Sequence, residues 1–401
     1  MEKLYEYIKE HEEDIAEALA KELGCTYKKA LKGQVRMTYP EIEAYIKAAK
    51  EHNPIETMEN TEIISEPYGV VACITPWNYP LPQITRKIFP ALMAGNTVVL
   101  KPSQKTPITA YFIADGAHQI KLPDGVLQLV TGKGSEVGEV LAKSKDVDMI
   151  SFTGSTKGGS TIAAQAQGTV KKVQLELGGK SPALVLEGAD IKLVAKTVLK
   201  TVYSNVGQTC SCLSRIVAPR SMKEELEEAL IEETKTYNFG NPYDENTDIG
   251  PLSSLDQFKK VTSYVAIDKN EATLLYEGKV NDNSGYNFPP VIFTDVDQNS
   301  TIAQEEIFGP VLSVIYYDDL DEGIEIANNT VYGLSSAVFG PDNDKNREVA
   351  LKIQAGDVYI NGASGNSNAP FGGYKMSGYG REKGKYGLWE FLQSKAVFIE
   401  K

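Results

Sequence analysis

The stretch with the clearest potential for chemistry is Asn205-Val-Gly-Gln-Thr-Cys210, which ends in a cysteine directly after a Gly-Gln-Thr sequence. It follows an apolar helical run (residues 193–202) and precedes a strand-like segment that starts at Arg215. A thiol attacks carbon only as the thiolate, which forms most readily where backbone N–H groups or a helix N-terminus point at the sulfur. The turn therefore suits a nucleophile, although a cysteine in such a position can equally be a small buried hydrophobe.

Two other side chains with catalytic potential are predicted at the ends of strands. Asn78 lies in a loop stiffened by two prolines, and a primary amide held rigidly in a dry site can donate to a developing oxyanion. Glu176 ends an apolar strand, where burial would raise its pKa toward neutrality and suit a general base acting on water. Taken singly, Asn78 could instead satisfy a turn, and Glu176 could lie on the surface before a Gly-Gly turn.

Other strand ends carry residues suited to a dinucleotide. Lys101, Ser103 and Gln104 offer a positive charge and hydrogen bonds to a ribose or phosphate, unless they form a solvated loop. One glutamate of the pair Glu305 and Glu306 could hold ribose hydroxyls while Phe308 brackets a flat ring, unless this segment is a capped turn. These residues predict a nucleotide site only if the fold brings them together.

Two glycine-rich turns lead from a predicted strand into a predicted helix. One contains Gly134 and Gly138 in a G-x-G-x-x-x-G sequence, one residue longer than the dinucleotide fingerprint. The other places Gly154 and Ser155 at a helix N-terminus, which favours an anion. Both turns would let the backbone approach a pyrophosphate.

The elements that must position these residues alternate along the chain. Strand-like runs are predicted at residues 96–101, 126–130, 149–153, 172–176 and 183–186, with helices between them. This alternation indicates βαβ units and an open parallel sheet, which binds ligands at the carboxyl ends of its strands. A second set of helices and strands from residue 191 onward predicts another α/β unit.

The bulk composition excludes several classes of protein. The 401 residues exceed one ordinary core, so we expect two or more packed units. A net charge of −13 argues against nucleic acid as a partner, and no run is long and apolar enough for a membrane helix. Four cysteines without a disulfide framework indicate the cytoplasm, and the three histidines have no metal-ligand spacing, so we predict no metal site.

Together these stretches resemble the NAD(P)-dependent aldehyde dehydrogenase superfamily. The similarity covers the whole chain, and seven motifs in the right order are far more specific than any one of them. The motifs are PWNYP (76–80), KPS (101–103), FTGST (152–156), ELGGK (176–180), GQTC (207–210), EEIFGP (305–310) and PFGGYKMSG with GRE (370–382).

The resemblance implies oxidation of an aldehyde to its acid with NADP or NAD. It assigns Cys210 as the nucleophile, Asn78 and the Cys210 N–H as the oxyanion hole, and Glu176 as the base that hydrolyses a thioester. Glu176 also favours water over coenzyme A or phosphate as the acceptor. The residues at cofactor-lining positions are Trp77, Lys101, Ser103, Gln104, Gly154, Ser155, Leu177, Glu306 and Phe308.

The chain departs from the family pattern in two ways. Members that select NAD usually have a glutamate where this chain has Gln104, and a neutral side chain there should tolerate the 2′-phosphate of NADP. The family also usually carries several dozen further N-terminal residues that add strands and a helix to the cofactor domain, and we expect this part to be missing here.

The residues 83–87 and GQTCSC look like succinate-semialdehyde dehydrogenases, where an arginine at the position of Arg86 helps to bind the substrate carboxylate. A second arginine of that branch is Ser204 here, so half of the carboxylate clamp is missing. Alternatively Arg86 is a helix-surface residue. A broader range of aldehydes, such as lactaldehyde or glyceraldehyde, therefore stays open beside succinate semialdehyde.

The expected fold is α/β, with a Rossmann-like parallel-sheet cofactor domain (1–178), an α/β catalytic domain (179–375) and a C-terminal return (376–401). A small β oligomerisation element should comprise strands at about 55–72 and the tail strand 396–401, which would pair across subunits of a homodimer or homotetramer. We also hypothesise that Cys212 can close a disulfide with Cys210 under oxidation.

Two functions from other protein classes are alternatives to an aldehyde dehydrogenase. A cysteine hydrolase or acyltransferase would need a histidine as base near the thiol, and none of the three histidines lies in a motif-like stretch. A non-catalytic oligomeric relative would bind nicotinamide without turnover, but Cys210, Glu176 and Asn78 together argue against it.

Overall fold

The computed structural model describes residues 1–281 and 285–400, which form three β-sheets flanked by helices. In chain order the strands are β1 (Ile55–Met58), β2 (Thr61–Pro67), β3 (Val70–Ile74), β4 (Thr97–Lys101), β5 (Leu127–Leu129), β6 (Met149–Thr153), β7 (Lys172–Glu176), β8 (Pro182–Val185), β9 (Arg215–Pro219), β10 (Thr273–Glu277), β11 (Val291–Thr294), β12 (Val311–Tyr317), β13 (Ser335–Phe339), β14 (Asp357–Ile360), β15 (Gly378–Tyr379) and β16 (Leu392–Phe398).

The helices alternate with these strands through most of the chain. They are α1 (Glu2–Glu10), α2 (Glu12–Leu23), α3 (Tyr27–Ala30), α4 (Thr38–Glu51), α5 (Pro80–Met93), α6 (Ile108–Gln119), α7 (Glu139–Lys143), α8 (Thr156–Ala166), α9 (Ile191–Tyr203), α10 (Lys223–Thr234), α11 (Leu255–Glu271), α12 (Thr301–Gln304), α13 (Leu320–Asn328), α14 (Asn343–Ala350) and α15 (Gly384–Trp389). The α/β class predicted from the sequence is confirmed.

The first large sheet has the order β15-β7-β6-β3-β4-β5. Its strands are parallel except β15 at the edge, which pairs antiparallel with β7. In the central strand β3, Val71 and Cys73 pack into a core shared with α1, α2, α4, α5 and α6, whereas Ala72 and Ile74 pack into a second core with α7 and α8. Burial on both faces explains why this strand is a continuous apolar run.

The second large sheet has the order β10-β11-β12-β9-β8-β13-β14, with only β10 antiparallel. Alternate residues of β12 again enter two cores: Leu312 and Val314 contact the core of α9 and α10, while Val311 and Ile315 contact that of α11 and α13. The sheet begins at Pro182, six residues after Glu176 ends β7, so the predicted division at residue 179 falls between the two sheets.

The third sheet contains the strands of the predicted oligomerisation element. It has the order β1-β2-β16, in which the tail strand β16 pairs antiparallel with β2 of the same chain and forms an edge of the sheet. Residues 70–72 do not belong to it, because Gly69 has a φ of 129° and turns the chain into the central strand of the first sheet. Lys401, the last residue of the predicted tail strand, lies outside the described residues.

The N-terminal helices are also divided differently from the periodic pattern. The apolar run from Leu4 to Leu23 is broken at His11, which has a φ of −108°. A π-helical turn, Leu31–Val35, separates α3 from α4, and Pro40 lies in the first turn of α4, where its missing N–H costs nothing. This π-helical turn lies beside the nucleophile loop, as described below.

Candidate active site

A cleft of about 160 Å³ lies between the two large sheets. Because β3, β4, β6 and β7 are parallel, their carboxyl ends meet at one edge, where the loops after them supply one wall. The cleft is lined by Pro76, Trp77, Asn78, Gln83, Thr153, Gly154, Ser155, Leu177, Gly178, Cys210, Gln257, Lys260, Glu306 and Phe308. The structure thus brings Cys210 and seven other predicted site residues into one cleft.

The turn before Cys210 has unusual backbone geometry. Asn205, Val206 and Gly207 have φ values of 53°, 58° and 74° in succession, and a β-branched residue such as Val206 is rarely left-handed. The carbonyl of Gly309 would lie 2.0 Å from a Cβ at position 207, so only glycine fits there. Tertiary contacts therefore hold a strained turn that presents the half-exposed Cys210 at the cleft.

Asn78 is held next to this turn by hydrogen bonds to its backbone and side chain. Its carbonyl oxygen accepts from Gln34 Nε2 at 3.1 Å and from Asn205 Nδ2 at 2.9 Å. Its own Nδ2 donates to the Gln208 carbonyl at 3.0 Å, which leaves a second N–H of the amide for another acceptor. A rigid amide donor at the cleft wall is the arrangement an oxyanion hole requires.

Glu176 ends β7 with only 2% of its surface exposed, so the alternative of a surface glutamate is wrong. Neither carboxylate oxygen accepts a hydrogen bond from a protein group in the described ranges. Burial raises the pKa of Glu176 well above its ordinary value, and the nearby Glu382 carboxylate raises it further. A proton on this carboxyl group is therefore held more tightly than in water, as a general base near neutrality needs.

A buried ion pair that sequence reasoning missed lies near Glu176. Lys87 Nζ is 2.8 Å from Glu382 Oε1 and 3.1 Å from Ser151 Oγ, and both charged side chains are at most 1% exposed. Its ammonium partly offsets the effect of the Glu382 carboxylate on the Glu176 pKa. The signal in the sequence was the adjacent Arg86-Lys87 pair on an otherwise apolar helix and the Glu of the GRE motif.

Burial likewise raises the pKa of the Cys210 thiol, and the carboxylates of Glu176 and Glu306 raise it further. A base that accepts the thiol proton is therefore needed before the sulfur attacks. The Arg86 guanidinium lowers the pKa of the thiol, but it does not outweigh burial and the two carboxylates. Cys212 is a buried free thiol.

Two glycines follow Glu176 because neighbouring atoms leave no room for a Cβ at either position. A Cβ on Gly178 would lie 2.7 Å from a carboxylate oxygen of Glu306, and one on Gly179 would lie 2.5 Å from the Cys210 carbonyl. The Gly179 N–H donates to Glu306 Oε1 at 3.0 Å, and Lys260 Nζ donates to the Glu306 carbonyl at 2.9 Å. Glu306 is thereby fixed at the cleft wall.

An aromatic pair closes another side of the cleft. The rings of Trp77 and Phe308 are 5.5 Å apart and almost perpendicular. Phe308 has a φ of 62°, a left-handed conformation that directs its side chain into the cleft. Ser155 caps the N-terminus of α8 by accepting from the Gly158 N–H at 3.1 Å, and Gly154 precedes it at the cleft. An aromatic wall and a helix N-terminus suit a flat ring and an anion.

Five predicted cofactor residues do not line this cleft. Gly134 and Gly138 form a separate π-helical turn before α7. Lys101 is buried, with its Nζ 3.0 Å from the Pro102 carbonyl, and burial lowers its pKa. Ser103 accepts from the Lys105 N–H, and Gln104 is exposed. These residues stay predictions for an extended ligand that reaches beyond the cleft along the sheet edge.

The surroundings of Arg86 contradict one of its two sequence interpretations and argue against the other. It is buried, not on a helix surface, and its guanidinium is paired in a bidentate manner with the Glu41 carboxylate at 2.8 and 2.7 Å. Lys383 adds a third contact to Glu41 at 3.2 Å. Since this carboxylate already occupies the fork of the guanidinium, Arg86 offers little charge to a substrate carboxylate.

Replacing Arg86 by methionine is expected to destabilise the fold by about 3 kcal/mol, because it leaves a buried carboxylate with a single partner. Burial opposes ionisation of Glu41, but Arg86 and Lys383 outweigh it and hold its pKa below the ordinary value. A carboxyl group whose pKa is lower in the folded than in the unfolded protein stabilises the fold at pH values above the unfolded pKa. This stabilisation is lost as the pH falls through the folded pKa. The deficit of R86M, measured by urea unfolding, should therefore shrink at acid pH.

The matched control is R36M, which breaks the more exposed Arg36–Glu12 pair at 2.5 Å. It should cost clearly less than R86M, because solvent screens an exposed ion pair. Equal losses in the two variants would contradict a dominant role for the buried pair.

Comparison with known proteins decides the family. The aldehyde dehydrogenase family model matches residues 1–397. The chain belongs to the aldehyde dehydrogenase family. A Staphylococcus haemolyticus protein, named by inference as an aldehyde dehydrogenase, is 42% identical over 401 residues, covering 99% of this chain and 84% of its own length.

Solved structures of other aldehyde dehydrogenases have the same fold. A cysteine-to-alanine variant of aldehyde dehydrogenase C from Pseudomonas syringae, in complex with NAD+ and octanal, is 41% identical with a TM-score of 0.94, covering 99% of this chain and 82% of that one. A betaine aldehyde dehydrogenase variant from Staphylococcus aureus, in complex with NAD+, is 38% identical with the same TM-score, covering 98% and 82%. The family and fold predicted from the seven motifs are confirmed, and this aldehyde dehydrogenase is an enzyme.

The sequence predicts neither a membrane helix nor a metal site. Within residues 1–281 and 285–400, no helix is long and apolar enough to cross a membrane. No group of three or more His, Cys, Asp or Glu residues in the same ranges has the arrangement of a metal site.

Proposed function

We propose that this aldehyde dehydrogenase oxidises a small polar aldehyde to its carboxylic acid with NAD(P)+, through a covalent intermediate on Cys210. The observation that carries the proposal is the meeting of Cys210, Asn78 and the aromatic pair in one cleft, with the buried Glu176 on the strand end beside it. Initial rates of NADH and NADPH formation with propionaldehyde, lactaldehyde and succinate semialdehyde test it. If no aldehyde leads to reduction of either cofactor, the proposed reaction is rejected and the alternative of a non-catalytic oligomeric relative is supported.

The residues of the cleft fit a dinucleotide. Trp77 and Phe308 supply apolar walls for flat rings, the N-terminus of α8 at Gly154 and Ser155 suits a phosphate, and the fixed carboxylate of Glu306 suits ribose hydroxyls. NAD complexes of the similar aldehyde dehydrogenases support this assignment. When bound, the nicotinamide supplies the acceptor for the hydride of the substrate.

The protein's own side chains carry the remaining steps. Cys210 loses its proton to a base and adds its sulfur to the aldehyde carbon, which gives a thiohemiacetal whose oxyanion accepts hydrogen bonds from the Asn78 amide and the Cys210 N–H. After the hydride leaves, the carbon is held as a thioester on Cys210. Glu176 then takes a proton from water as that water attacks, the C–S bond breaks, and the acid is released.

The exposed Gln104 is expected to permit the use of NADP as well as NAD. A carboxylate at this position would bind the ribose hydroxyls of NAD and repel the 2′-phosphate of NADP. The variant Q104E should therefore raise the ratio of kcat/KM for NAD to that for NADP by about tenfold or more. Steady-state kinetics with both cofactors measure this ratio. A parent enzyme more than about a hundredfold less efficient with NADP would contradict the prediction.

Succinate semialdehyde is the first substrate to test, although Arg86 is engaged by a carboxylate of the protein. The prediction relied on Arg86, and the structure occupies Arg86 with Glu41. The polar groups beside Asn78, including the Tyr79 hydroxyl at 2.9 Å from Thr209 Oγ1, favour a polar aldehyde. Lactaldehyde and glyceraldehyde are therefore the alternatives, and the relative kcat/KM values of these aldehydes separate them.

We propose in addition that the enzyme acts in the cytoplasm as a homodimer or homotetramer. The four cysteines are free thiols, which fits a reducing compartment. The outer edge of β16 exposes Val397 and Phe398 at the border of the three-stranded sheet, which suits contact with another subunit. Light scattering of the parent and a V397D/F398D variant measures the assembly state.

A further inference from the structure

Lys29 lies with its ammonium on the loop that carries the nucleophile. Its Nζ donates to Ser204 Oγ at 2.6 Å, although the two residues are 175 positions apart in the chain. The side chain of Lys29 is half-buried, and no carboxylate of the described residues lies within ion-pair distance of it. Arg86, in contrast, is neutralised by Glu41. Lys29 is therefore a cation near the active site whose charge is not cancelled by a protein partner.

The backbone is shaped to let this side chain reach the loop. Gly33 lies in the π-helical turn Leu31–Val35, and a Cβ there would lie 2.8 Å from Lys29 Cδ and 3.2 Å from its Nζ. Gly33 does not have a left-handed φ, so a methyl group at this position would displace the Lys29 side chain and would not strain the backbone. The aliphatic stem of Lys29 thus runs over Gly33 toward Ser204. π-Helical turns are frequent at functional sites.

Two hydrogen bonds and one peptide link connect this ammonium to the nucleophile. Ser204 accepts from Lys29 through its hydroxyl, and its carbonyl accepts from Thr209 Oγ1 at 3.3 Å. Thr209 directly precedes Cys210, and Tyr79, which hydrogen-bonds to Thr209, directly follows Asn78. Gln34 of the same π-helical turn holds the Asn78 carbonyl. The segment around Lys29 therefore flanks both the nucleophile and the oxyanion donor.

This flank lies outside the cleft assigned to the cofactor. None of the residues 26–35 or 204–209 lines that cleft, whereas Trp77, Glu306 and Phe308 do. The hydride acceptor and the aldehyde must both reach the carbon attached to Cys210, so they have to approach from different directions. Lys29, Ser204 and Tyr79 flank the nucleophile loop on a side that does not line the cleft, and the inference places the tail of the aldehyde there.

We infer that Lys29, guided by Gly33 onto Ser204, selects aldehydes whose distal end carries a carboxylate. The inference deepens the proposed function and rests on it. An ammonium with three donors spends one on Ser204 and can offer the others to an anion. A carboxylate semialdehyde thereby gains a charge-assisted hydrogen bond that a neutral aldehyde of equal length lacks.

The decisive measurement is the ratio of kcat/KM for succinate semialdehyde to that for butyraldehyde, which has the same number of carbons and no charge. The parent should favour the semialdehyde by at least about tenfold, and K29M should lower this ratio by about tenfold or more. G33A should lower the ratio in the same direction, because the methyl group displaces the Lys29 stem. The control K28M, which removes an exposed lysine of the same helix, should leave the ratio unchanged.

Two further readouts separate charge recognition from a structural role of Lys29. The preference of the parent should decline as ionic strength rises, whereas K29M should show little salt dependence. Succinate should raise the melting temperature of the parent more than that of K29M. A ratio that K29M leaves unchanged, or an equal loss with both aldehydes, would overturn the inference while the proposed function stands. A parent that oxidises neither aldehyde would reject the proposed function itself.

Discussion

Replacing Cys210 by alanine is expected to reduce aldehyde oxidation by about 10⁴-fold or more, because no covalent intermediate can form without the sulfur. The side chain is half-exposed at the cleft and lies on a strained turn that presents it there. The loss should appear in kcat, while binding of NADH followed by fluorescence should persist. Such a result would show that the fold and cofactor site survive without the thiol.

A neighbouring cysteine provides the matched control for this variant. Cys212 lies two residues further on, but it is buried in the core of the second sheet and does not line the cleft. C212A should therefore retain activity within about threefold of the parent. Equal inactivation of C210A and C212A would contradict the assignment of Cys210 as nucleophile, and would point instead to a structural effect on the loop.

The chain shows which features of an aldehyde dehydrogenase can be predicted from local sequence. Alternating apolar and amphipathic runs predicted the α/β class, since strands buried on both faces are continuous apolar segments. The motifs predicted the nucleophile turn and the strand-end glutamate, because these positions depend on residues close together in the chain. They assigned Trp77 and Phe308 to the cofactor separately, whereas the contact between the two rings is a feature of the fold. The positive φ values of Asn205, Val206 and Gly207 were not predictable, since the turn is held by contacts with distant residues: Asn205 donates to the Asn78 carbonyl, and Gly207 packs against the Gly309 carbonyl.

The features that were not predicted involve partners that are distant in sequence. A guanidinium on a helix reveals nothing about Glu41, which approaches Arg86 from another helix 45 residues earlier. The pairing of β16 with β2 joins residues separated by more than 300 positions, and no local pattern specifies it. Lys29 and Ser204 were overlooked as a pair for the same reason. A role can be assigned to a charged residue only once its partners in the folded structure are known.

Replacing Glu176 by glutamine is expected to separate the two halves of the reaction. The amide keeps the shape of the carboxyl group but cannot accept a proton from water, so the thioester on Cys210 should persist. A rapid-mixing experiment should show one equivalent of reduced cofactor formed in a burst, followed by steady turnover slower than the parent by about 10² to 10⁴-fold. Loss of the burst as well would mean that Glu176 is also the base for the thiol.

The pH dependence of thioester hydrolysis should report the environment of Glu176. The deprotonated carboxylate is the active form, so the rate should rise with pH, and burial together with Glu382 places the midpoint above the ordinary carboxyl value. E382Q removes a negative neighbour and leaves the Lys87 ammonium without its partner, and both changes stabilise the Glu176 carboxylate. The midpoint should therefore move to lower pH in E382Q. An unchanged or higher midpoint would show that the Glu382 charge does not control the catalytic base.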